Sequence, residues 1–529
     1  MRKYLPLLVS LLFLILTLNA GLNASPHQWW PMFQRDAVNS GWMDVDAPET
    51  PQIFWVVSLP EKPDVRVQPV TFENKSIITT RDTGKVIYFN TITGEKLWMN
   101  SLGVYIHYSS PIIYNGKVIV CGYGKVAAFD LETGDKLWEY TPPDGKRIRA
   151  EPTLYQGILF LPVGHYRDSP PFYIVALDPD TGTEINVFTD PNLPPPSDSG
   201  IVGYGDLIIF GTRYKSGFVQ KLYALKVSDL SVEWTLEVGS SINPPTVADG
   251  IVYVGLYNST ILAVDASTGS VLWKLVVGSG NRFYRIAPVY KDGVLYVAAY
   301  NTGLVAAIDT STQTVIWTYD APSYIYSQLI YADGKIYFGC DDDYLRCLDA
   351  SNGNIIWEYK AGDDWQSVSI VDIGGYGIII AASNDYNLYA FGSIPMFVTL
   401  EIEVLDENGN PLPNAHVQLF TRDWSLAREG DTGGDGKITF FNVQAQDYII
   451  KVTYDDRVTY SGVRKTDLMG YLGGTFHITV RFPLPVGGEA IPVDKIGLIL
   501  YTVTANLHYI ILALLAIAAT LMYRRRSKT

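Results

Sequence analysis

The sequence predicts an all-β protein built from repeated four-stranded sheets, and three observations lead to this fold class. A phrase of the form Ala-x-Asp-x-x-Thr-Gly-x-x-x-Trp returns along residues 50–392. Short β-branched runs with alternating apolar positions precede the copies, as strands require. Aromatic residues make up 13% of the chain and charged residues 18%, a balance that suits a tyrosine-rich β protein.

The repeated phrase defines the structural residues of the fold. It is complete in the copies that end at Trp138 and Trp273, and Asn186 takes the tryptophan position of another copy. In each copy we expect the aspartate to cap a turn, the glycine to supply a positive φ, and the tryptophan to fill a gap between neighbouring sheets. The positions assigned to these roles are Trp55, Trp98, Trp138, Trp234, Trp273, Trp317, Trp357, Asp130, Asp178, Asp265, Asp309, Asp349, Gly134 and Gly269.

The spacing of the repeats predicts the number of sheets. The tryptophan positions recur about every 43 residues, which is the length of one blade of a β-propeller. Trp55 fits this spacing but no inner strands precede it, whereas residues 367–391 supply three strands and lack a tryptophan-bearing fourth. We therefore predict an eight-bladed β-propeller over residues 25–394, whose last blade is completed by the N-terminal strand.

These repeats resemble the pyrroloquinoline-quinone (PQQ)-type repeat shared by quinoprotein dehydrogenases and BamB-like outer-membrane assembly proteins. The segment from Trp30 to Asp36, Trp-Pro-Met-Phe-Gln-Arg-Asp, is similar to the lead-in of many exported members. For an enzyme, the resemblance implies a quinone, a bound Ca²⁺ and two adjacent cysteines against the quinone. Cys121, Cys340 and Cys347 are not adjacent, so we predict neither a cofactor nor a metal site.

The cysteines leave one alternative open. Cys121 and Cys340 each lie nine residues before a repeat aspartate and are expected to be small buried strand residues. Cys347 lies across the same predicted hairpin from Cys340, so a cross-strand disulfide is the alternative in an exported protein. The acidic run Asp341 to Asp343 lacks the spacing of a calcium loop and is expected to form a hairpin turn.

A second, smaller domain follows the repeats. Residues 399–405, 416–420, 437–441 and 447–454 have the pattern of strands and predict an antiparallel β-sandwich over residues 397–482. It resembles the carboxypeptidase-regulatory-like domains of surface proteins, with Gly409, Pro411, Ala415 and Val417 matching their opening phrase. The resemblance implies a spacer.

The two ends of the chain indicate export and membrane anchoring. Two positive charges followed by an apolar run predict a signal peptide over residues 1–24, with an uncleaved signal anchor as the alternative. After a linker at residues 483–495, residues 496–523 are apolar enough to cross a membrane, and three arginines begin a cytoplasmic tail at residues 524–529. We expect a single-pass protein of the cell membrane whose propeller and sandwich are extracellular.

Aromatic residues and arginines are interleaved in the loops that precede the innermost strands. We expect these loops to form one rim of the propeller, where tyrosine faces and guanidinium groups suit an anionic glycan, a peptide carboxylate or a protein partner. The alternative is a solvated rim with tyrosine packed over the channel. The candidate ligand-binding residues are Tyr105, His107, Tyr108, Arg147, Arg149, Arg282, Tyr284, Arg285, Tyr324, Tyr326 and Trp365.

These features favour a cell-surface binding or scaffolding protein over an enzyme. The formal net charge of −14 and the absence of a basic stripe argue against nucleic acid as a partner. The alternative is a membrane-tethered, PQQ-dependent oxidoreductase that acts on an alcohol or a sugar. No catalytic residues are predicted, because no Ser, His and Asp arrangement can be defended from the spacing.

Overall fold

The computed structural model describes residues 30–482, except 65–66, 149, 284, 374, 393–396, 423, 456, 465–466 and 469–474. The chain divides into two compact units, one that runs to Phe397 and one that begins at Val398. The predicted signal peptide, linker, membrane span and cytoplasmic tail lie outside the described residues. Within those residues, no helix has the length and apolar character to cross a bilayer.

The first unit is an all-β propeller in which consecutive strands are neighbours in each sheet, and strands from the N-terminal segment join two of the sheets. Two strands precede the repeats, β1 (Trp42–Met43) and β2 (Ile53–Ser58). Sheets 1 to 4 contain β3–β6 (Val70–Phe72, Lys75–Thr79, Lys85–Asn90, Lys96–Ser101), β7–β10 (Ile112–Tyr114, Lys117–Gly122, Lys125–Asp130, Lys136–Tyr140), β11–β14 (Thr153–Tyr155, Ile158–Val163, Tyr173–Leu177, Glu184–Thr189) and β15–β18 (Pro196–Tyr204, Leu207–Thr212, Lys221–Lys226, Val232–Glu237).

Four further sheets complete this unit. Sheets 5 to 8 contain β19–β22 (Thr246–Ala248, Ile251–Gly255, Thr260–Asp265, Val271–Val276), β23–β26 (Val289–Lys291, Val294–Ala298, Leu304–Asp309, Thr314–Asp320), β27–β30 (Ile330–Ala332, Lys335–Gly339, Tyr344–Asp349, Ile355–Lys360) and β31–β33 (Trp365–Ile373, Tyr376–Ser383, Asn387–Phe391). β2 pairs antiparallel with β33, with Trp55 opposite Ala390, as the position of Trp55 predicts. β1 adds a short parallel strand to sheet 7, which the sequence analysis missed.

The tryptophans of the outer strands join neighbouring sheets. The indole nitrogen of Trp98 donates a hydrogen bond to the carbonyl oxygen of Leu131, in a turn of the next sheet, at 2.9 Å. Trp55, Trp138, Trp234 and Trp317 make the equivalent bond to the sheet that follows theirs. Each buried apolar cluster between consecutive sheets contains residues of both sheets, so the core lies in these seams.

The turn residues of the repeat make room for the indole rings. Asp130 accepts hydrogen bonds from the backbone nitrogens of Glu132 and Thr133 at 2.9 and 2.8 Å, and the other repeat aspartates make the same type of turn. Gly134 then has a φ of +77°, and a Cβ there would lie 2.7 Å from the Trp98 ring. Glycine is required at this position for both its conformation and its lack of a side chain.

A belt of polar side chains joins the innermost strands. Ser110 accepts a hydrogen bond from the Gln68 backbone nitrogen at 3.0 Å, and Glu151 accepts one from the Ser110 backbone nitrogen at 2.6 Å. Gln68 also donates to the carbonyl oxygen of Val368 at 2.9 Å, which links sheet 1 to sheet 8. These residues are buried, so each bond satisfies a group that water cannot reach.

The cysteines are thiols in this structure and do not form the alternative disulfide. Tyr337, not Cys340, lies opposite Cys347 in sheet 7. Cys340 packs in the cluster between sheets 6 and 7, whereas Cys347 packs in the cluster between sheets 7 and 8. The two side chains therefore point to opposite faces of one sheet. Cys347 shares the face of its partner Tyr337, and Cys340 lies three positions after Tyr337, which places it on the other face because side chains alternate along a strand.

The second unit consists of two sheets. One contains β35 (His416–Thr421), β36 (Leu426–Asp431), β38 (Tyr448–Tyr454) and β39 (Arg457–Val463), and the other contains β34 (Phe397–Leu405), β37 (Lys437–Gln444) and β40 (Thr475–Arg481). The expected arrangement was purely antiparallel, and this is wrong for one pair, because β34 and β40 run parallel. The chain passes through the other sheet between them and returns in the same direction.

Candidate functional site

The loops that enter each sheet and the loops between its second and third strands lie at one end of the propeller, because neighbouring strands are antiparallel. We call them the rim loops. They carry most of the candidate residues named from the sequence. The structure brings these residues into contact in two groups of opposite charge.

A buried aspartate organises the loop that enters sheet 2. Asp64 is 1% exposed and lies 2.7 Å from His107 Nδ1, and its carboxylate also accepts the Tyr108 backbone hydrogen at 2.9 Å. The His107 and Tyr108 rings are tilted to each other, with their centroids 3.4 Å apart. The Tyr105 ring contacts the Tyr123 ring, with their centroids 5.2 Å apart. Burial raises the pKa of Tyr105 to about 12, so its hydroxyl stays neutral.

Tyr108 contacts an arginine from a rim loop that is distant in the sequence. The Arg285 guanidinium carbon lies 5.1 Å from the Tyr108 ring centroid and 5.9 Å from that of Tyr300. Arg285 lies in the loop that enters sheet 6 and Tyr108 in the loop that enters sheet 2, so the contact joins rim loops of sheets that are not neighbours in the chain. Both have a left-handed backbone, with φ of 79° for Arg285 and 61° for Tyr108.

Arginine and tyrosine continue from this contact over sheets 2 to 6. Arg213 lies over Tyr166 at 4.2 Å and Arg282 over Tyr257 at 4.6 Å, measured from guanidinium carbon to ring centroid. Pairs of this kind are cation–π contacts, which hold the arginine side chain against a ring. We define the basic surface as Tyr123, Arg147, Tyr166, Arg167, Arg213, Lys215, Tyr257, Arg282, Arg285 and Tyr300.

Two arginines of the basic surface have no carboxylate partner within the described part of the chain. Arg147 lies 3.3 Å from Asp168. By contrast, among the residues that the structure describes, no carboxylate oxygen lies within 4.0 Å of the Arg167 or Arg282 side-chain nitrogens. Both residues are exposed. Hydrogen bonding to the Tyr300 hydroxyl raises the pKa of Arg282 further, so its charge is present at every physiological pH.

The rim loops of sheets 7 and 8 are acidic. Oxygens of Asp343, Asp363 and Asp364 lie within 4.8 Å of one another, a spacing that could hold a divalent cation. Lys62 Nζ already lies 2.9 Å from Asp363, and Lys360 Nζ lies 3.7 Å from Asp343. Lysines therefore pair with two of the three clustered carboxylates, and we assign no metal to the cluster. Asp341 to Asp343 form the turn between β28 and β29.

Two adjacent aspartates of this acidic group have opposite pKa shifts. Burial, with the charges of Asp364, Asp342 and Asp363, raises the pKa of Asp341 to about 7. Burial would also raise the pKa of Asp342, but hydrogen bonds from Arg346, at 2.8 Å for the closest nitrogen to Oδ1, lower it. The rim thus combines a fixed positive region with an acidic region whose charge changes near neutral pH.

The structure corrects two of the candidate residues. Trp365 is fully buried among Tyr359, Tyr389 and Phe391, and Tyr108 is 5% exposed. Trp365 packs in the core between sheets 7 and 8, and the Tyr108 ring is covered by His107 and Arg285, so neither presents an open ring to a ligand. Arg149 and Tyr284 lie outside the described residues. The remaining candidates, Tyr105, His107, Arg147, Arg282, Arg285, Tyr324 and Tyr326, lie in the rim loops.

Seven of the ten residues of the basic surface were not predicted from the sequence, which had named only Arg147, Arg282 and Arg285. Tyr166, Arg167 and Arg213 lie in the long loops between the second and third strands of sheets 3 and 4. Lys215 Nζ donates to the carbonyl oxygens of Tyr166 and Asp168 at 2.8 and 3.0 Å, which ties these two loops together. In the sequence, the length of these two loops and the tyrosines and arginines within them could have indicated this part of the surface.

The residues around the central opening do not fit a bound quinone. The adjacent cysteine pair implied by the dehydrogenases is missing, and all three cysteines are buried in seams between sheets. We therefore assign no step of quinone chemistry to these residues.

Comparison with known proteins places this geometry among related chains. A family model described as outer membrane protein assembly factor BamB matches residues 43–164, 171–283 and 258–391. The protein of that name from Moranella endobia (strain PCIT) is 25% identical over 301 residues, which are 51% of this chain and 74% of that protein. Its counterpart from Salmonella typhimurium is 22% identical over 164 residues, 28% of this chain and 40% of that protein.

An enzyme is also among the relatives. Tetrathionate hydrolase from Acidithiobacillus ferrooxidans is 20% identical over 318 residues, which are 54% of this chain and 60% of the enzyme. This match and the Salmonella match therefore span less than two thirds of the relatives concerned. Sequence similarity of this extent supports common repeats and leaves the activity of the whole protein to be proposed.

Solved structures share the fold. A europium-containing methanol dehydrogenase superposes with a TM-score of 0.60 at 11% identity, over 68% of this chain and 90% of that chain. BamB from Moraxella catarrhalis superposes with a TM-score of 0.51 at 15% identity, over 65% and 97%. Enzymes and assembly proteins thus lie on the same architecture, and the residues of the rim must decide between functions.

Proposed function

Because the chain belongs to the family described as outer membrane protein assembly factor BamB, we propose that it is a binding or scaffolding protein that holds a protein partner on its rim loops. The observation that carries this proposal is the basic surface, where Arg167 and Arg282 are exposed and lack a carboxylate among the described residues. A glycan is the alternative occupant of the same surface.

The proposal includes an eight-bladed ring over residues 25–394. In support of it, β2 completes sheet 8, and the Trp55 indole donates to Thr91 of sheet 1 at 2.7 Å. Gln68 of sheet 1 bonds to Val368 of sheet 8. A ring closed in this way leaves only short, protected sheet edges and presents eight sets of rim loops on one face.

We also propose that the chain displays this ring outside the cell. The sequence of residues 1–24 supports export, and that of residues 496–523 supports a single membrane span followed by a cytoplasmic tail at 524–529. The unit at residues 397–482, which resembles carboxypeptidase-regulatory-like domains, then serves as a spacer before the linker at 483–495.

Photo-cross-linking from two exposed aromatic positions tests the location of the partner. Tyr214 lies in a rim loop and is 64% exposed, and Phe441 lies in the second unit and is 68% exposed. A photoreactive phenylalanine at Tyr214 is expected to give a discrete protein adduct in cells that the Phe441 position does not give. The absence of an adduct at Tyr214, or the same adduct from both positions, would remove the rim as the binding face.

The enzyme alternative has its own test. Supplying PQQ and Ca²⁺ to the purified full-length protein is expected to give no bound quinone absorption and no dye reduction with alcohols or sugars. A stoichiometric chromophore with substrate-dependent dye reduction would replace the scaffolding proposal with an oxidoreductase.

A further inference from the structure

We propose that the basic surface recognises an extended, acidic segment of a protein, rich in glutamate and aspartate, which passes over the rim loops of sheets 3 to 6. This inference rests on the proposed function and names the chemistry of its partner.

Cations already cover two of the tyrosine rings of the basic surface. Arg213 and Arg167 approach Tyr166 at 4.2 and 5.3 Å, and Arg282 covers Tyr257 at 4.6 Å. A neutral sugar ring would need an open aromatic face on which to lie flat. A guanidinium that rests on a ring still directs its N–H edge outward, and this edge matches the two oxygens of a carboxylate.

The arginines are positioned before a ligand arrives. Arg167 Nε lies 3.0 Å from the Tyr166 hydroxyl, and Arg282 Nη1 lies 3.3 Å from the Tyr300 hydroxyl. Lys215 fixes the loop of Tyr166 against the neighbouring sheet. Ligand binding therefore costs less side-chain conformational entropy than it would if these arginines were free to rotate.

The distribution of the charges favours a chain over a compact anion. Arg167 belongs to sheet 3, Arg213 to sheet 4, and Arg282 to the loop that enters sheet 6, so one ligand must cross several sheets to reach all three. The rim loops of sheets 7 and 8, which lie beyond that point, carry aspartates in place of these arginines. An acidic segment is therefore confined to one half of the rim.

The test measures binding of a fluorescent peptide of alternating glutamate, aspartate and glycine to the detergent-solubilised full-length chain by anisotropy. We expect saturable binding that weakens as NaCl rises from about 50 to about 500 mM. The double variant Arg167→Gln with Arg282→Gln is expected to bind about tenfold more weakly or worse, because two charge-assisted pairs are lost.

The matched control removes two exposed charges elsewhere. Lys96→Gln with Lys274→Gln changes two outer strands and is expected to keep the native affinity within about twofold. The arginine side chains are exposed, so both double variants should keep the native melting temperature. Equal peptide affinity for the native chain and the arginine variant would overturn the inference, as would equally tight binding of the matching glutamine–asparagine peptide.

Two further arms separate the possible failures. Polygalacturonate is expected to bind less tightly than the acidic peptide, and tighter binding would assign the surface to an anionic glycan instead. If the adduct from Tyr214 persists in the arginine double variant, the acidic-segment inference fails while the proposed rim function stands. If no adduct forms at Tyr214 in the native chain, the proposed function itself fails.

Discussion

The clearest prediction concerns Asp341, whose carboxyl is partly buried in the acidic half of the rim. Its Oδ1 has no hydrogen-bond partner within the described part of the chain, and its pKa rises from the usual 3.8 to about 7. The folded protein therefore holds this proton more tightly than the unfolded chain does. As a result, the free energy of unfolding falls as the pH rises from about 4 to about 7.

The substitution Asp341→Asn removes this cost while keeping the shape of the side chain. A shift from 3.8 to about 7 corresponds to an upper bound of about 4 kcal/mol. Since the side chain is partly exposed, screening by water reduces the expected gain to about 1–2 kcal/mol at pH 8. At pH 4, where Asp341 is protonated in the folded protein, we expect almost no difference between the variant and the native chain.

Urea unfolding followed by tryptophan fluorescence at pH 4, 5.5 and 8 measures this dependence. The neighbouring Asp342→Asn is the matched control, because its pKa is lowered by Arg346, whose side chain is 4% exposed. Removing it should cost about 2–4 kcal/mol at pH 8, and this loss should shrink as the pH falls below the usual carboxyl pKa. The reasoning is refuted if Asp341→Asn destabilises the protein at pH 8, or changes stability equally at pH 4 and 8.

Three further predictions concern the seams. Gly134→Ala should lower the free energy of unfolding by about 2–4 kcal/mol, because the new Cβ would meet the Trp98 ring. The control Gly145→Ala should lower it by about 1 kcal/mol, because its Cβ would meet nothing within 4 Å. Thermal unfolding of both variants measures the difference. Asn186→Trp should destabilise the protein, because Leu230, which is 3% exposed, fills the space that the indole ring would need. Adding Leu230→Gly should recover about 1–2 kcal/mol of the free energy of unfolding, and a double-mutant cycle that shows no coupling would contradict this. Finally, the buried cysteine thiols, whose pKa values burial raises, should react with a maleimide only after denaturation; labelling of the native chain would show that a seam opens.

The seams are the part of the fold that the sequence could predict. Their signal is local, because the aspartate, glycine and tryptophan of each copy lie within one hairpin. Even the exception is regular: Asn186 donates to the carbonyl oxygen of Asp229 at 2.9 Å, which replaces the indole bond, and Leu230 replaces the turn glycine. Where the large ring is missing, a larger turn residue fills the space.

The belt of inner hydrogen bonds and the basic surface could not be predicted in the same way. Glu151 and Ser110 pair across two sheets, and a sequence does not reveal which side chain reaches which backbone group over such separations. The candidate list also treated each rim loop as exposed. Trp365 lies in β31 directly after its loop and turns inward, which only the packing of Tyr389 and Phe391 against it determines.

The hydrogen bonds of one glutamine link the belt of inner polar side chains to the rim loops. Gln328 accepts the Ala287 backbone hydrogen and donates to the carbonyl oxygen of Arg285, both at 2.9 Å. Arg285 has a left-handed φ, which costs about 1 kcal/mol and persists only where the surroundings fix it. The bonds that join sheets 6 and 7 therefore also hold the conformation that brings Arg285 to Tyr108. Because Asp64 fixes Tyr108 from the other side, the contact between Arg285 and Tyr108 depends on the loops that enter sheets 1, 2, 6 and 7. A partner bound there contacts a surface that no single sheet could form.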